Sequence, residues 1–381
     1  MREAWKSLRK MLSRCLCRPR YPQQVIRARH SSESIKVGAV AHYSTVTPPT
    51  RVGFVGAGEI SALHALALKQ IPGAELAGLW SRSGCPIVPD PAAKAAQYGC
   101  KLFDSAEELI QDPSIDAVFV LTNYETHLQY ATMALEARKP VLVEKPVANG
   151  VDEMKKLRDA ADAAGVPCVP VHNYIHEPHL LRTKTMIKEG KLGRITAVYI
   201  QYNIHHPEEV CARLPGVLRQ IGTHHAYTAL FLLGENPKTV SAFRTVIRDG
   251  DQGTAPQENL SMVNMQMESG ALCHMEMNFA ADDHSSDSWS FYVKVIGTKG
   301  ATRYSYNDWV VNAPAAVHSH SYEPYPHTIL ETDRHFIKQV VAAGEAPLSS
   351  LDDAITCQRI IEAAEVSSVD ATHVALSGIY S

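Results

Sequence analysis

From residue 51 onward, apolar positions fall into short continuous runs, separated by stretches with helical spacing. Arg51-Val-Gly-Phe-Val-Gly56 reads as a buried strand ending in glycine. Residues 59–70 read as a helix with Ile60, Leu63, Leu66 and Leu68 on broad apolar faces, and Ala74–Trp80 as a second strand. A short helix over 92–98 follows, then Ser105-Ala-Glu-Glu108, a capping box opening a helix that ends before Pro113. Asp116–Leu121 is almost wholly apolar, the kind of strand buried on both faces of a parallel sheet. A helix over 125–137, a strand over 140–144, a helix over 152–164 and a strand over 167–171 complete the alternation. Such alternation predicts a doubly wound α/β domain over 51–171, with right-handed crossovers.

After His172 the rhythm changes. Ile195–Asn203, Thr239–Arg248, Leu260–Glu268, Ala271–Phe279, Ser290–Ile296 and Ala301–Ser305 read as strands, and helices fall near 179–189, 219–233, 327–343 and 351–366. Consecutive strands predict an antiparallel or mixed sheet with helices on one face, an α+β second domain over 172–381.

Composition adds two points. At 381 residues, 45% hydrophobic and 20% charged, the chain is an ordinary globular one, long enough for about two domains. No run of about 18 apolar residues suggests a membrane-spanning helix. Eight Cys with no CxxC pair point to free, mostly buried thiols in a reducing compartment. The net charge of −3 hides an uneven distribution. Residues 1–50 carry ten Lys/Arg and two acids, leaving 27 basic and 38 acidic residues of the chain's 37 and 40. An acidic body argues against nucleic-acid binding. The Arg-rich, acid-poor head resembles a mitochondrial transit peptide, which would make the protein mitochondrial; as a plain basic extension it would leave it cytoplasmic. Cys15 and Cys17 lie inside that head and are not read as metal ligands.

Gly56-Ala-Gly-Glu-Ile-Ser61 follows a strand and opens a helix. Gly56 permits the tight turn, and Gly58 lets a pyrophosphate approach the N–H groups around Glu59 and Ile60 at the helix N-terminus. Ser61 stands where the third small residue belongs. This predicts dinucleotide binding. An NAD site wants an acid about 20 residues past the glycines. Here the second strand exits into Ser81-Arg82. A hydroxyl and a guanidinium suit a 2′-phosphate, so NADP is favoured over NAD.

The body resembles the Gfo/Idh/MocA family (glucose–fructose oxidoreductase and inositol dehydrogenase), over about residues 51–370. The resemblance rests on Gly56-x-Gly58, on Thr122-Asn-Tyr-Glu-Thr-His127, and on Val141-Leu-Val-Glu-Lys-Pro146 at the end of the fifth strand. Further support comes from Pro178 with Gly190-x-x-Gly193, from Gly222-x-His224, and from Gly297-Thr-Lys-Gly300. It implies a Rossmann domain plus a C-terminal domain with a large open, mostly antiparallel sheet. It also implies NAD(P)-dependent oxidoreduction of a sugar, cyclitol or other polyhydroxylated small molecule, and a homodimer or homotetramer formed through that sheet. It places Thr122, Asn123, His127, Glu144 and Lys145 at the cofactor, and Lys145, Asn173, Gln220 and His224 at the substrate.

Physical chemistry agrees about Lys145. A lysine at the C-terminal edge of a parallel sheet projects into the ligand crevice, where it can stabilise developing alkoxide charge. His224 is the expected proton-transfer partner, with an ordinary histidine pKa suited to neutral pH. Gln220 stands where the family has Asp in Asp-x-Gly-x-His/Tyr, and Tyr227 where many relatives have a second Asp. The charge tuning an Asp would supply is absent from both positions. His172-x₃-His176 has metal-ligand spacing, but a polar sugar pocket explains the histidines of this region without metal. Two alternatives remain beside the dehydrogenase. One is a redox-assisted glycoside-cleaving enzyme with tightly held NAD; the other is a non-catalytic dinucleotide-sensing regulator.

Overall fold

The computed structural model describes residues 48–82, 88–206, 208–212, 214–247, 258–280, 289–305 and 324–378. The basic head and its targeting reading, with Cys15, Cys17 and Cys85, lie outside the described residues.

The first layer is a six-stranded sheet of order β3-β2-β1-β4-β5-β6. Its strands are β1 (Thr50–Val55), β2 (Ala74–Trp80), β3 (Lys101–Leu102), β4 (Ala117–Val120), β5 (Val141–Val143) and β6 (Cys168–Pro170). Every pairing is parallel. Alternate side chains feed cores on the two faces: Val118, Val120, Val141 and Val143 on one, Phe54, Phe119 and Leu142 on the other. Burial on both faces is why these strands read as unbroken apolar runs. The crossovers are α1 (Ser61–Leu68), α2 (Pro91–Tyr98), α3 (Ala106–Gln111), α4 (His127–Glu136) and α5 (Val151–Ala164). At α3 the predicted capping box forms with a shift. Ser105 Oγ accepts the Glu108 N–H at 3.0 Å, but the Glu108 carboxylate reaches back to Asp104 N at 3.2 Å.

The second layer is a seven-stranded sheet of order β12-β11-β7-β10-β9-β8-β13. It comprises β7 (Ile195–Ile204), β8 (Pro237–Thr245), β9 (Leu260–Met267), β10 (Leu272–Asn278), β11 (Trp289–Gly297), β12 (Ala301–Ser305) and β13 (Val374–Ala375). It is mostly antiparallel, with β7 and β10 the parallel neighbours. Helices α6 (Pro178–Lys188) and α7 (Thr223–Leu233) belong to this half. A wide π-type turn, Leu218–Gly222, leads into α7.

The last two helices tie the layers together. Helix α8 (Pro324–His335) continues as a π-type turn through Val341. Ile329, Phe336, Ile337 and Val340 from this segment complete one core of the first sheet. Helix α9 (Leu351–Asp370) serves both halves. Leu351, Ala354 and Ile355 join the other core of the first sheet, while Cys357, Ile360, Ile361 and Ala364 join the core under the second. The described residues accordingly fall within one compact unit, Thr47–Ser381. Cys100, Cys168, Cys273 and Cys357 are free thiols, the buried Cys211 Sγ donates to His206 O, and among the described residues no helix is long and apolar enough to cross a membrane.

Candidate active site

The chain turns sharply after β1. Gly56 has φ +111°, and a Cβ on it would lie 2.7 Å from the Leu121 carbonyl, so only glycine lets the turn pass the end of β4. Gly56 N–H donates to Trp80 O at 2.8 Å, which brings the exit of β2 alongside. Ser81, half-buried, and Arg82, exposed, follow there. A Cβ on Gly58 would meet nothing within 4 Å. That open space adjoins the N-terminus of α1, where the N–H groups of Gly58, Glu59 and Ile60 precede the first helical hydrogen bonds. It is the cradle a pyrophosphate would fill, so these residues fit a nicotinamide dinucleotide. The helix starts at Ser61 rather than at 59. Ser61 is fully buried; its hydroxyl donates to Gly58 O at 2.6 Å and accepts from Tyr98 OH at 2.8 Å.

The floor of the cleft is built from the ends of β4 and β5. His127 is buried with its ring nitrogens 2.9 Å from both Pro146 O and Thr122 O. It clasps the two strand exits together, and its nitrogens are engaged with main chain rather than free for cofactor. Thr122 Oγ1 accepts from Thr126 Oγ1 at 2.8 Å, while Asn123 is exposed and its amide donates to Glu125. Both Glu144 oxygens are occupied. One accepts the Lys145 N–H at 2.9 Å, and the other lies 3.2 Å from His64 Nε2. Lys145 is joined to Pro146 by a cis peptide bond.

His64 carries no sequence motif of its own. It lies on α1 with no exposed surface, its Nδ1 2.8 and 3.0 Å from the two oxygens of Asp333 on α8. Burial works against its charge, yet the two carboxylates outweigh this and raise its pKa to about 10. Burial raises the Asp333 pKa, against the pull of His64. Ring and carboxylates are separated by 80 and 269 residues along the chain. No local spacing could have announced them.

The polar centre lies where β5, β6 and α7 meet. Lys145 Nζ donates to Gln220 O at 3.4 Å. Gln220 thus meets the lysine through its main-chain carbonyl, within the π-type turn. Burial lowers the Lys145 pKa, opposed by Glu144. Burial first, then the charge of Lys145, also depresses His172 to about 3 and His224 well below the ordinary histidine range. The ordinary pKa expected for His224 is therefore corrected: its ring is neutral at physiological pH. His224 stacks on Tyr174 with centroids 4.5 Å apart, and its buried Nδ1 has no partner. Asn173 is also buried; its amide donates to Thr328 Oγ1 at 2.7 Å and its Oδ1 is unpartnered. Among the described residues no His/Cys/Asp/Glu group could hold a metal.

A dinucleotide cradle beside a half-buried lysine and buried neutral imidazoles, at the carboxyl edge of a parallel sheet, defines a nicotinamide-dependent oxidoreductase. The chain belongs to the Gfo/Idh/MocA family. Residues 50–172 match its "Oxidoreductase family, NAD-binding Rossmann fold" and residues 180–303 its "GFO/IDH/MocA C-terminal domain". Among relatives, a 1,5-anhydro-D-fructose reductase of Ensifer adhaerens is 29% identical over 60% of this chain and 69% of its own. A myo-inositol 2-dehydrogenase of Thermotoga maritima is 24% identical over 80% of this chain and 91% of its own. The fold matches a solved scyllo-inositol dehydrogenase of Lactobacillus casei with bound NAD(H) and scyllo-inositol. The TM-score is 0.76 at 17% identity, over 87% of this chain and all of the other.

Proposed function

We propose that this protein oxidises a secondary alcohol of a sugar or cyclitol, and reduces the matching ketone, with NADP preferred over NAD. The observation that carries this reading is the convergence of Lys145 with His172 and His224, which hold buried ring nitrogens without protein partners, beside the cradle at Gly56–Gly58. A bound nicotinamide supplies the acceptor for the hydride leaving the substrate carbon.

The protein's own residues do the rest. Lys145, held by the Glu144 carboxylate at its main-chain N–H and by Gln220 O at its ammonium, points its charge at one substrate oxygen. That charge stabilises the alkoxide as the O–H proton leaves. His224, kept neutral by burial and by Lys145, has the lone pair that takes the proton. In the reducing direction the same ring returns it. Ser81 and Arg82 beside the glycine turn support the choice of NADP through charge-assisted hydrogen bonds to a 2′-phosphate.

The open face of the second sheet supports a homo-oligomer. Tyr199, Phe243, Met262 and Leu272 are exposed on it, around a shallow hollow of about 280 Å³ lined in part by Tyr199, His274 and Lys294. Sedimentation should show a dimer or larger species, and Phe243→Asp should shift it towards monomer.

The test of function is a screen of inositol isomers and aldoses with both cofactors, following reduced nicotinamide. Turnover of at least one polyol, faster with NADP, is expected. Dinucleotide binding without turnover of any polyol would refute the assignment.

A further inference from the structure

Helix α1 begins at the open cradle beside Gly58, and one turn further on it places His64 in the interior with no exposed surface. Phenyl rings fix the imidazole plane: Phe119 of β4 lies 5.5 Å away by centroid and Phe54 of β1 6.4 Å, both edge to face. Each ring nitrogen then meets a carboxylate. Nδ1 is 2.8 Å from Asp333 on α8, and Nε2 is 3.2 Å from Glu144 at the end of β5. An ionised carboxylate only accepts, so each nitrogen supplies the hydrogen. Glu144 uses its other oxygen to accept the Lys145 N–H at 2.9 Å. Groups from three distant parts of the chain thus form one line of hydrogen bonds, Asp333 to His64 to Glu144, that ends on the main chain of Lys145.

That line controls a carboxylate in a sensitive place. Glu144 is buried and directly precedes Lys145. A Glu144 side chain free to turn would have the Lys145 ammonium as its strongest attraction in a site shielded from water. An ion pair there would draw the ammonium away from a substrate oxygen. With one oxygen on His64 and the other on the Lys145 N–H, the carboxylate is held to the main chain, and Lys145 Nζ donates to Gln220 O at 3.4 Å. Asp333 holds the opposite edge of the imidazole. Its helix is fixed against α1 by apolar packing, with Ile329, Phe336 and Ile337 in the same core as Ala65 and Leu68.

We propose that His64 is a positioning residue for the reaction: its Nε2–H anchors the Glu144 carboxylate, so that Glu144 braces the main chain at Lys145 and leaves the ammonium free to meet the substrate. Asp333 holds the ring in place for that task. His64 is wholly out of water and acts through Glu144 rather than by touching substrate. This rests on the dehydrogenase reading above.

The experiment separates the two edges of the ring. His64→Gln keeps an amide N–H near the place of Nε2, and with it the bond to Glu144. His64→Asn keeps a polar group near the place of Nδ1, facing Asp333, and leaves Glu144 unheld. Both remove the charge, so both should lower stability. The full chain is assayed with NADP and scyllo-inositol, myo-inositol or glucose, and kcat is counted per dinucleotide site by titration, so that unfolded protein does not enter. His64→Asn should lose about 10- to 100-fold in kcat, the scale of a small misplacement at the reacting centre. His64→Gln should stay within about threefold of wild type, and dinucleotide affinity within about twofold in both, changes under one hydrogen bond. Glu144→Gln should lose kcat as His64→Asn does, and the double variant should lose no more than the larger single loss, because both break one link. Equal kcat in His64→Asn and His64→Gln, whether lowered or not, would assign His64 a purely structural role and overturn the proposal, as would additive losses in the double variant. If His64→Asn does not fold, His64→Gln is set against Glu144→Gln: kcat kept in the first and lost in the second is expected, and equal kcat overturns the proposal. Failure of wild-type protein to turn over all three polyols would instead overturn the dehydrogenase reading, and this inference with it.

Discussion

The buried His64–Asp333–Glu144 cluster gives the sharpest test of how the cleft is held. The perturbation is His64→Leu, close in volume to the ring it replaces. In the wild type one imidazolium sits 2.8 Å from Asp333 and 3.2 Å from Glu144, with His64 and Asp333 wholly out of water. Removing it strands two carboxylates in a dry interior. Breaking a buried pair in this way costs about 3–5 kcal/mol. Adding Asp333→Leu removes one stranded charge, so the double variant should recover at least about half of that loss. The pH dependence carries a second signature. The His64 pKa is raised in the folded state, so its contribution is fully present below the unfolded value of about 6.5 and is lost as pH rises through about 10. In His64→Leu the buried Asp333 carboxyl, already raised by burial, loses the cation that opposes this, so the variant gains stability as pH falls and Asp333 takes up a proton. The stability deficit should therefore peak near neutral pH and narrow on both sides. Denaturant titrations of both variants at pH 5, 7.5 and 10 measure it. A deficit under about 1 kcal/mol at pH 7.5, or one independent of pH, would refute the charged-cluster reasoning.

Three further outcomes follow from the cleft. Lys145→Ala should leave dinucleotide affinity nearly intact and lower turnover by at least about 10²-fold, the scale of one lost electrostatic stabiliser; near-normal steady-state turnover would remove Lys145 from the chemistry. Gly58→Ala should melt like the wild type, because its Cβ meets nothing within 4 Å, yet bind dinucleotide at least about tenfold more weakly by calorimetry; Gly56→Ala, forced against the Leu121 carbonyl, should lose both stability and binding. Arg82→Ala should weaken NADP by about 1.5–3 kcal/mol in a titration and leave NAD nearly unchanged; equal losses would disprove the 2′-phosphate contact.

Residues that act through local pattern are legible in the amino-acid sequence. The glycine turn needs backbone freedom at Gly56 and space at Gly58, and a glycine-ended apolar run before a helix states both requirements within six residues. The strands of the first sheet stand out because both their faces are buried. The two short edge strands, Lys101–Leu102 and Val374–Ala375, do not, because two residues cannot carry a period. What only tertiary packing decided is how distant residues meet. α8 and α9 return to the first sheet, and α9 spans both cores, because its apolar positions serve different neighbours along its length. The neutrality of His224 and the raised pKa of His64 come from opposite balances of the same two forces. Burial favours the uncharged ring in both; only His64 has carboxylates close enough to reverse it, and those carboxylates come from elsewhere in the chain. Sequence determines which side chains are available and which face of an element they occupy. Only the folded chain sets the dielectric and the neighbours, and these decide which of them carry charge.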